Sequence, residues 1–178
     1  LQRAFDHIAH DCAIQHLHVV FALDRGGLAG ADGPTHHGLL DFAYLRCIQG
    51  MVVMAPKDEQ ELRNMLYSAV YHYKQGPVSM RYPRGNSIGV PTGPMQALPL
   101  GKGEILRSGR DVAIVAIGNM VHKSLEAAEL LWQEGISAEV VNARFVKPLD
   151  TALLDDLCSR FEKVITVEDG QKQGGFGS

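Results

Sequence analysis

The sequence has only three cysteines, Cys12, Cys47 and Cys158, which are scattered and never form a C-x-x-C pair. That argues against a disulfide framework or a cysteine-rich zinc site and fits a reducing cytoplasm. No apolar run reaches the ~18 residues of a membrane-spanning helix, and no signal-peptide pattern leads the chain. Nor is there a run of one charge sign. The 17 basic and 20 acidic residues leave a net charge of -3, which offers no electrostatic track for nucleic acid or a membrane surface. Any phosphate binding must therefore come from a few placed arginines. Prolines are few and 46% of the 178 residues are hydrophobic, so a sizeable core is expected and disorder is not. The chain opens on Leu1 inside a helical pattern and closes on the glycine-rich stretch 174–178; both ends read as cut.

Leu1, Phe5, Ile8, Cys12 and Ala13 recur at helical spacing and predict an amphipathic helix to about Gln15. His18 to Leu23 is a nearly continuous apolar run, the signature of a strand buried on both faces of a parallel sheet. A strand over Met51 to Met54 precedes Pro56 and an acidic first turn (Asp58, Glu59, Glu61), from which a helix runs to Tyr73. Val78 to Tyr82 reads as the next strand. Residues 83 to about 103 are rich in proline and glycine without periodicity and read as an interdomain linker. The alternation then restarts: strand 111–117, helix 121–132 stopping at Gly135, strand 138–141, helix 150–161, strand 163–168. Two α/β units with parallel sheets are expected.

Ligands of such sheets sit outside the carboxyl ends of the strands, so two loops invite close reading. Asp24 to Gly38 gathers Asp24, Arg25, Asp32, His36 and His37 among five glycines. Glycines let a backbone turn sharply and approach a ligand, an arginine offers a planar fork to phosphate or carboxylate, and a histidine titrates near neutrality. No Gly-Lys-Ser/Thr follows, so it is not a P-loop. A solvated turn in which Asp and Arg merely pair remains an alternative. In Met80 to Asn86, Arg81 and Arg84 should face opposite sides of a strand, one reaching a ligand and the other bracing the sheet edge.

The histidines raise a metal hypothesis. His7 and His10 share a polar helix face without a matching acidic motif, so solvated histidines are the expectation and no metal site is assigned. The cysteines are expected in the core, not as nucleophiles.

Taken together, DRGGLAGADGPTHHG, DFAYLRC, MVVMAPKDEQEL, MRYPRGN, LPLGKGE and ARFVKPLD resemble, in order and essentially from Leu1 to Ser178, the 1-deoxy-D-xylulose-5-phosphate synthase family. Single motifs recur in transketolase and in the β-subunit of 2-oxoacid dehydrogenases; the pairing of ADGPTHHG with RYPRGN points to the synthases. The resemblance implies an α/β fold: a thiamine-type pyrimidine-binding domain over 1–86, truncated at its N-terminus, a linker over 87–104, and a transketolase C-terminal-type domain over 105–178, truncated at its C-terminus.

It also implies a transferase that condenses pyruvate with D-glyceraldehyde 3-phosphate, using thiamine diphosphate and Mg2+, as a cytoplasmic homodimer. By similarity, Arg25 and Arg84 would grip the aldehyde's phosphate. Asp32 and His36 would face the cofactor-bound intermediate, and Arg3 would lie near the pyrimidine end of the cofactor. The family's cofactor-activating glutamate, magnesium ligands and diphosphate ligands lie upstream of Leu1, so the chain alone is expected to be inactive. Two departures stand out: Phe5 replaces a frequent Tyr, and Gln49-Gly50 replaces a Pro-containing turn.

Overall fold

This computed structural model describes residues 2–178, so Leu1, the first member of the predicted helical stripe, lies outside the described residues. Gln2–Ala4, Phe5–His7 (α1) and Ile8–Ala13 form one irregular helical segment, tight at its start and widened to π geometry at its end. Its apolar stripe does what the spacing predicts: Ile8 and Ala13 are buried and Phe5 packs against the same cluster.

The first sheet takes β1 (Val20–Leu23), β2 (Val52–Met54) and β3 (Val78–Arg81), with β3 pairing in parallel with both others. α2 (Asp41–Arg46) and α3 (Glu59–Tyr71) belong to this unit. The acidic turn starts α3 as expected: the Asp58 side chain caps it by accepting from Glu61 N. The second unit holds β4 (Glu104–Arg107), β5 (Val112–Ala116), α4 (Met120–Gln133), β6 (Ala138–Asn142), β7 (Phe145–Lys147), α5 (Thr151–Arg160) and β8 (Val164–Val167). Its sheet has the order β4-β6-β5-β8. α4 ends before Gly135, which takes a positive φ.

The structure departs from the expected parallel sheets, because each carries an antiparallel edge strand. β4 pairs with β6, and β7 leaves its own unit to pair with β2, giving the order β1-β3-β2-β7. Three or four residues beside Gly103 or Pro148 are too few to register as alternation, so neither strand shows in the pattern. The strand predicted as doubly buried is also different: β1 is half-exposed, at the end of its sheet among the described residues, whereas all four residues of β3 are buried. The cysteines correct another expectation. Cys47 and Cys158 are exposed and Cys12 only half-buried; Cys47 follows the last turn of α2, and Cys158 lies beside Leu157, which takes the inward position of α5.

One apolar cluster runs from Ile8, Phe42 and Leu45 of the first unit to Val115, Ile117 and Leu157 of the second. The two units therefore share a core. A buried polar knot joins them as well. Glu61 of α3, 2% exposed, accepts from Asn142 Nδ2 at 2.9 and 3.0 Å, from Arg144 Nε at 2.7 Å and from Lys57 N at 2.8 Å. Between the units, the irregular stretch lies along α3 as a strap. The amides of Gly89, Gly93, Gln96 and Leu98 donate to Glu59, Gln60, Asn64 and Ser68, the last three of them side chains four residues apart.

Candidate functional site

Parallel pairing aligns Leu23 of β1 with Arg81 of β3, so the loops after both strands leave from one edge of the sheet. Gly26 N donates to Tyr82 O at 2.9 Å and ties them together. The first loop also closes on itself, Gly27 N donating to Gly38 O and Gly38 N to Arg25 O, each at 3.0 Å. A Cβ on Gly38 would stand 2.4 Å from the Arg25 carbonyl oxygen, so only glycine allows that closure.

The closure brings the predicted residues together. Arg25, held at φ 63, is a strained conformation for a non-glycine residue of the kind that clusters at functional sites. Its Nε donates to Asp32 Oδ2 at 2.8 Å and its Nη1 to Asp24 Oδ2 at 3.0 Å. Arg84 Nε reaches the same Asp32 oxygen at 2.7 Å. Asp32 thus bridges two half-exposed guanidiniums that would otherwise repel. The hydrogen bond from Arg25 holds the Asp32 carboxyl below its ordinary range, against the effect of burial, and Arg84 and His36 add to the lowering. Both arginines are engaged through Nε, and terminal nitrogens of the pair remain for an anion.

Arg3, Arg25, His36, Asp41 and Tyr44 line one cavity of about 450 Å³. His36 is exposed, with its Nδ1 3.1 Å from Thr35 Oγ1. His37 is a brace: its Nδ1 accepts from Ala29 N at 2.9 Å, which places the proton of the neutral ring on Nε2. Nothing in the sequence singles out Tyr44. Burial, reinforced by nearby Asp41, pushes its phenol up to about 12, and Phe5 meets its ring edge-on at 6.0 Å. An aromatic at helical spacing gives no local signal that distinguishes cavity wall from core.

Arg81 and Arg84 differ in burial, but β3 ends at Arg81, so strand alternation does not extend to Arg84. Arg81 is 6% exposed, stacks over Phe42 at 4.1 Å, donates to Gly38 O at 3.0 Å and also to Asp169 O. Its Nε lies 2.9 Å from Asp41 Oδ2, at too bent an angle for a hydrogen bond. Burial raises the Asp41 carboxyl, and Arg81 opposes that rise.

Among the described residues, no group of three or more His, Cys, Asp or Glu side chains is placed to hold a metal ion; His10 pairs instead with Asp6 at 2.8 Å. No helix among them is long and apolar enough to cross a membrane.

Residues 1–88 match the family model for the transketolase pyrimidine-binding domain and residues 101–178 that for the transketolase C-terminal domain. The two matches in sequence order make the chain a tandem of transketolase-type α/β domains. A solved split-gene transketolase, titled an inactive β4 tetramer, superposes with a TM-score of 0.85 at 35% identity, over 98% of this chain and 56% of that one. Over its whole length the chain is 59% identical to the 1-deoxy-D-xylulose-5-phosphate synthase of Gloeobacter violaceus and 58% identical to that of Microcystis aeruginosa. It belongs to the 1-deoxy-D-xylulose-5-phosphate synthase family, and it spans 28% of the length of those relatives.

Proposed function

We propose that this chain supplies the aldehyde-phosphate half of a synthase site that condenses pyruvate with D-glyceraldehyde 3-phosphate to 1-deoxy-D-xylulose 5-phosphate and CO2. The observation that carries the reading is the meeting of Arg25 and Arg84 on Asp32 at one sheet edge. Two guanidiniums held side by side suit the two or three oxygens of a phosphate monoester, and Asp32 fixes their spacing before the ligand arrives. His36, on the wall of the cavity that Arg25 also lines, would hold or move a proton at a substrate oxygen, and Asp32, which holds Arg25, would face the reacting intermediate.

Thiamine diphosphate, when bound, supplies the nucleophilic carbon of the reaction. The residues present fit one end of it. Tyr44, backed by Phe5, offers a flat apolar wall for a pyrimidine ring, and Arg3 lies at the rim of that cavity. The Mg2+ and diphosphate end would need ligands beyond this chain's described residues. A cytoplasmic homodimer completes the proposal.

The test is substrate kinetics in the full-length enzyme. Arg25→Ala and Arg84→Ala should each weaken use of D-glyceraldehyde 3-phosphate by about 1.5–3 kcal/mol, the scale of a charged hydrogen bond, with pyruvate binding largely intact. Normal kinetics for the phosphorylated aldehyde in both variants would refute the clamp. Product analysis separates this reaction from that of another thiamine-dependent ketol transferase, because it alone here releases CO2 from pyruvate and yields a five-carbon ketose phosphate.

The likeness to a split-gene transketolase subunit favours one second reading, that of a non-catalytic partner module completed by a separate diphosphate-binding polypeptide. Activity that appears only when such a polypeptide is added in trans would support it.

A further inference from the structure

The loop that carries Arg25 is held from two sides, and only one of them belongs to its own sheet. β5 and β8 are parallel neighbours with Ala116 beside Val167, so Asn119 and Asp169 both follow carboxyl ends of the second sheet. That edge faces the Arg25 loop. Asp169 Oδ1 accepts from Leu28 N at 3.3 Å, and Asp169 Oδ2 accepts from Asn119 Nδ2 at 3.2 Å. The approach is close: a Cβ on Gly27, which takes φ +79, would stand 2.0 Å from Asp169 Oδ2. The backbone oxygen of Asp169 is taken by Arg81, the buried arginine that also holds Gly38 O. Gly27 and Leu28 are the second and third residues after Arg25, so a carboxylate from the other unit grips the loop just past the strained arginine.

We propose that Asp169 is a positioning residue for the phosphate clamp. By holding Leu28 N–H and anchoring to Asn119, it fixes the loop on which the Arg25 guanidinium is presented, without touching substrate itself. The inference rests on the reading of Arg25 as a phosphate ligand. It makes the second unit a working part of substrate recognition, since the aldehyde's phosphate is read by the first unit while the reading frame is set by the second.

Three measurements on the full-length enzyme test it. Asp169→Ala should raise KM for D-glyceraldehyde 3-phosphate by about tenfold, the scale of one lost hydrogen bond to a charged group, and leave KM for pyruvate within about twofold. Amide exchange at Leu28 should accelerate by about tenfold or more in the same variant, as local opening loses its restraint. Combining D169N with N119D swaps the two side chains and restores the pattern. The amide at position 169 would then accept from Leu28 N–H and donate to the carboxylate at position 119, so both readouts should return toward wild type. Asn119→Ala, which removes only the anchor, should shift them in the same direction by less. Unchanged Leu28 exchange in D169A, a common rise of both KM values, or no recovery in the double exchange would overturn the assignment. Arg25→Ala separates the layers: a normal KM there defeats the clamp itself, whatever Leu28 does.

Discussion

Replacing Glu61 by alanine tests how the two units are held together. The carboxylate is 2% exposed and receives Asn142 Nδ2, Arg144 Nε and Lys57 N within 3.0 Å. Its loss strands the Asn142 amide, which is 0% exposed, and one edge of the Arg144 guanidinium, whose side chain is 13% exposed. Breaking a buried charge pair on one side costs about 3–5 kcal/mol. Arg144 keeps Glu104 at 2.7 Å, a more exposed partner, so the expected loss lies near the lower figure, about 3 kcal/mol. For a chain of this size that corresponds to a fall in Tm of roughly 6–12 °C. Glu61→Gln keeps one acceptor oxygen but presents an NH2 to a cation, and should fall between alanine and wild type. Urea and thermal unfolding of the chain measure both. A loss below about 1 kcal/mol for Glu61→Ala, the range of an exposed ion pair, would refute the view that this knot couples the units.

Two further outcomes are expected. Asp150 caps α5 by accepting from Leu153 N and also binds Lys102 and Gly103 N, so Asp150→Ala should cost about 1 kcal/mol at neutral pH. Burial pushes its carboxyl up, but these partners outweigh it and hold it below the ordinary value. The contribution is therefore present above the unfolded value of about 3.9 and lost as pH falls through the folded one. The gap between urea midpoints of the variant and wild type should hold from pH 7 to about pH 4 and narrow below that, and a gap that stays constant at lower pH would mean the charge plays no part. His36→Ala should lower kcat more than it changes either KM in steady-state kinetics, and unchanged turnover would reduce His36 to a loop residue.

What could be read from the sequence was whatever depends on near neighbours. The turn of α3 shows in Asp58 and its following acids, the end of α4 in Gly135, and the ligand edge in arginines placed just past apolar runs. What could not be read depends on which strands pair. Asp32 and Arg84 are far apart in the chain and meet only because β1 and β3 are adjacent. The Asp24 to Gly38 segment could be singled out as a candidate anion loop, but the sharing of Asp32 between Arg25 and Arg84 could not. Asp169 lies in a commonplace Val-Glu-Asp-Gly turn whose meaning comes from the sheet opposite. β7 is three residues long and takes its partner from the other unit, so no period in its own sequence could announce it. The exposed Cys47 and Cys158 show the same limit, since helical spacing marks a stripe without saying how wide the buried part is.

The strand β7 makes the border between the two domains different for the sheet than for the chain. Cutting at the linker would leave the first sheet without its fourth strand, and with it Lys147, whose ammonium holds the carbonyls of Arg46 and Ile48 at 3.0 and 2.7 Å at the end of α2. The β2 edge would then offer an unpaired row of amides and carbonyls to any extended segment nearby. The end of the first domain in the chain is therefore not the end of its sheet, which is closed by three residues of the second domain.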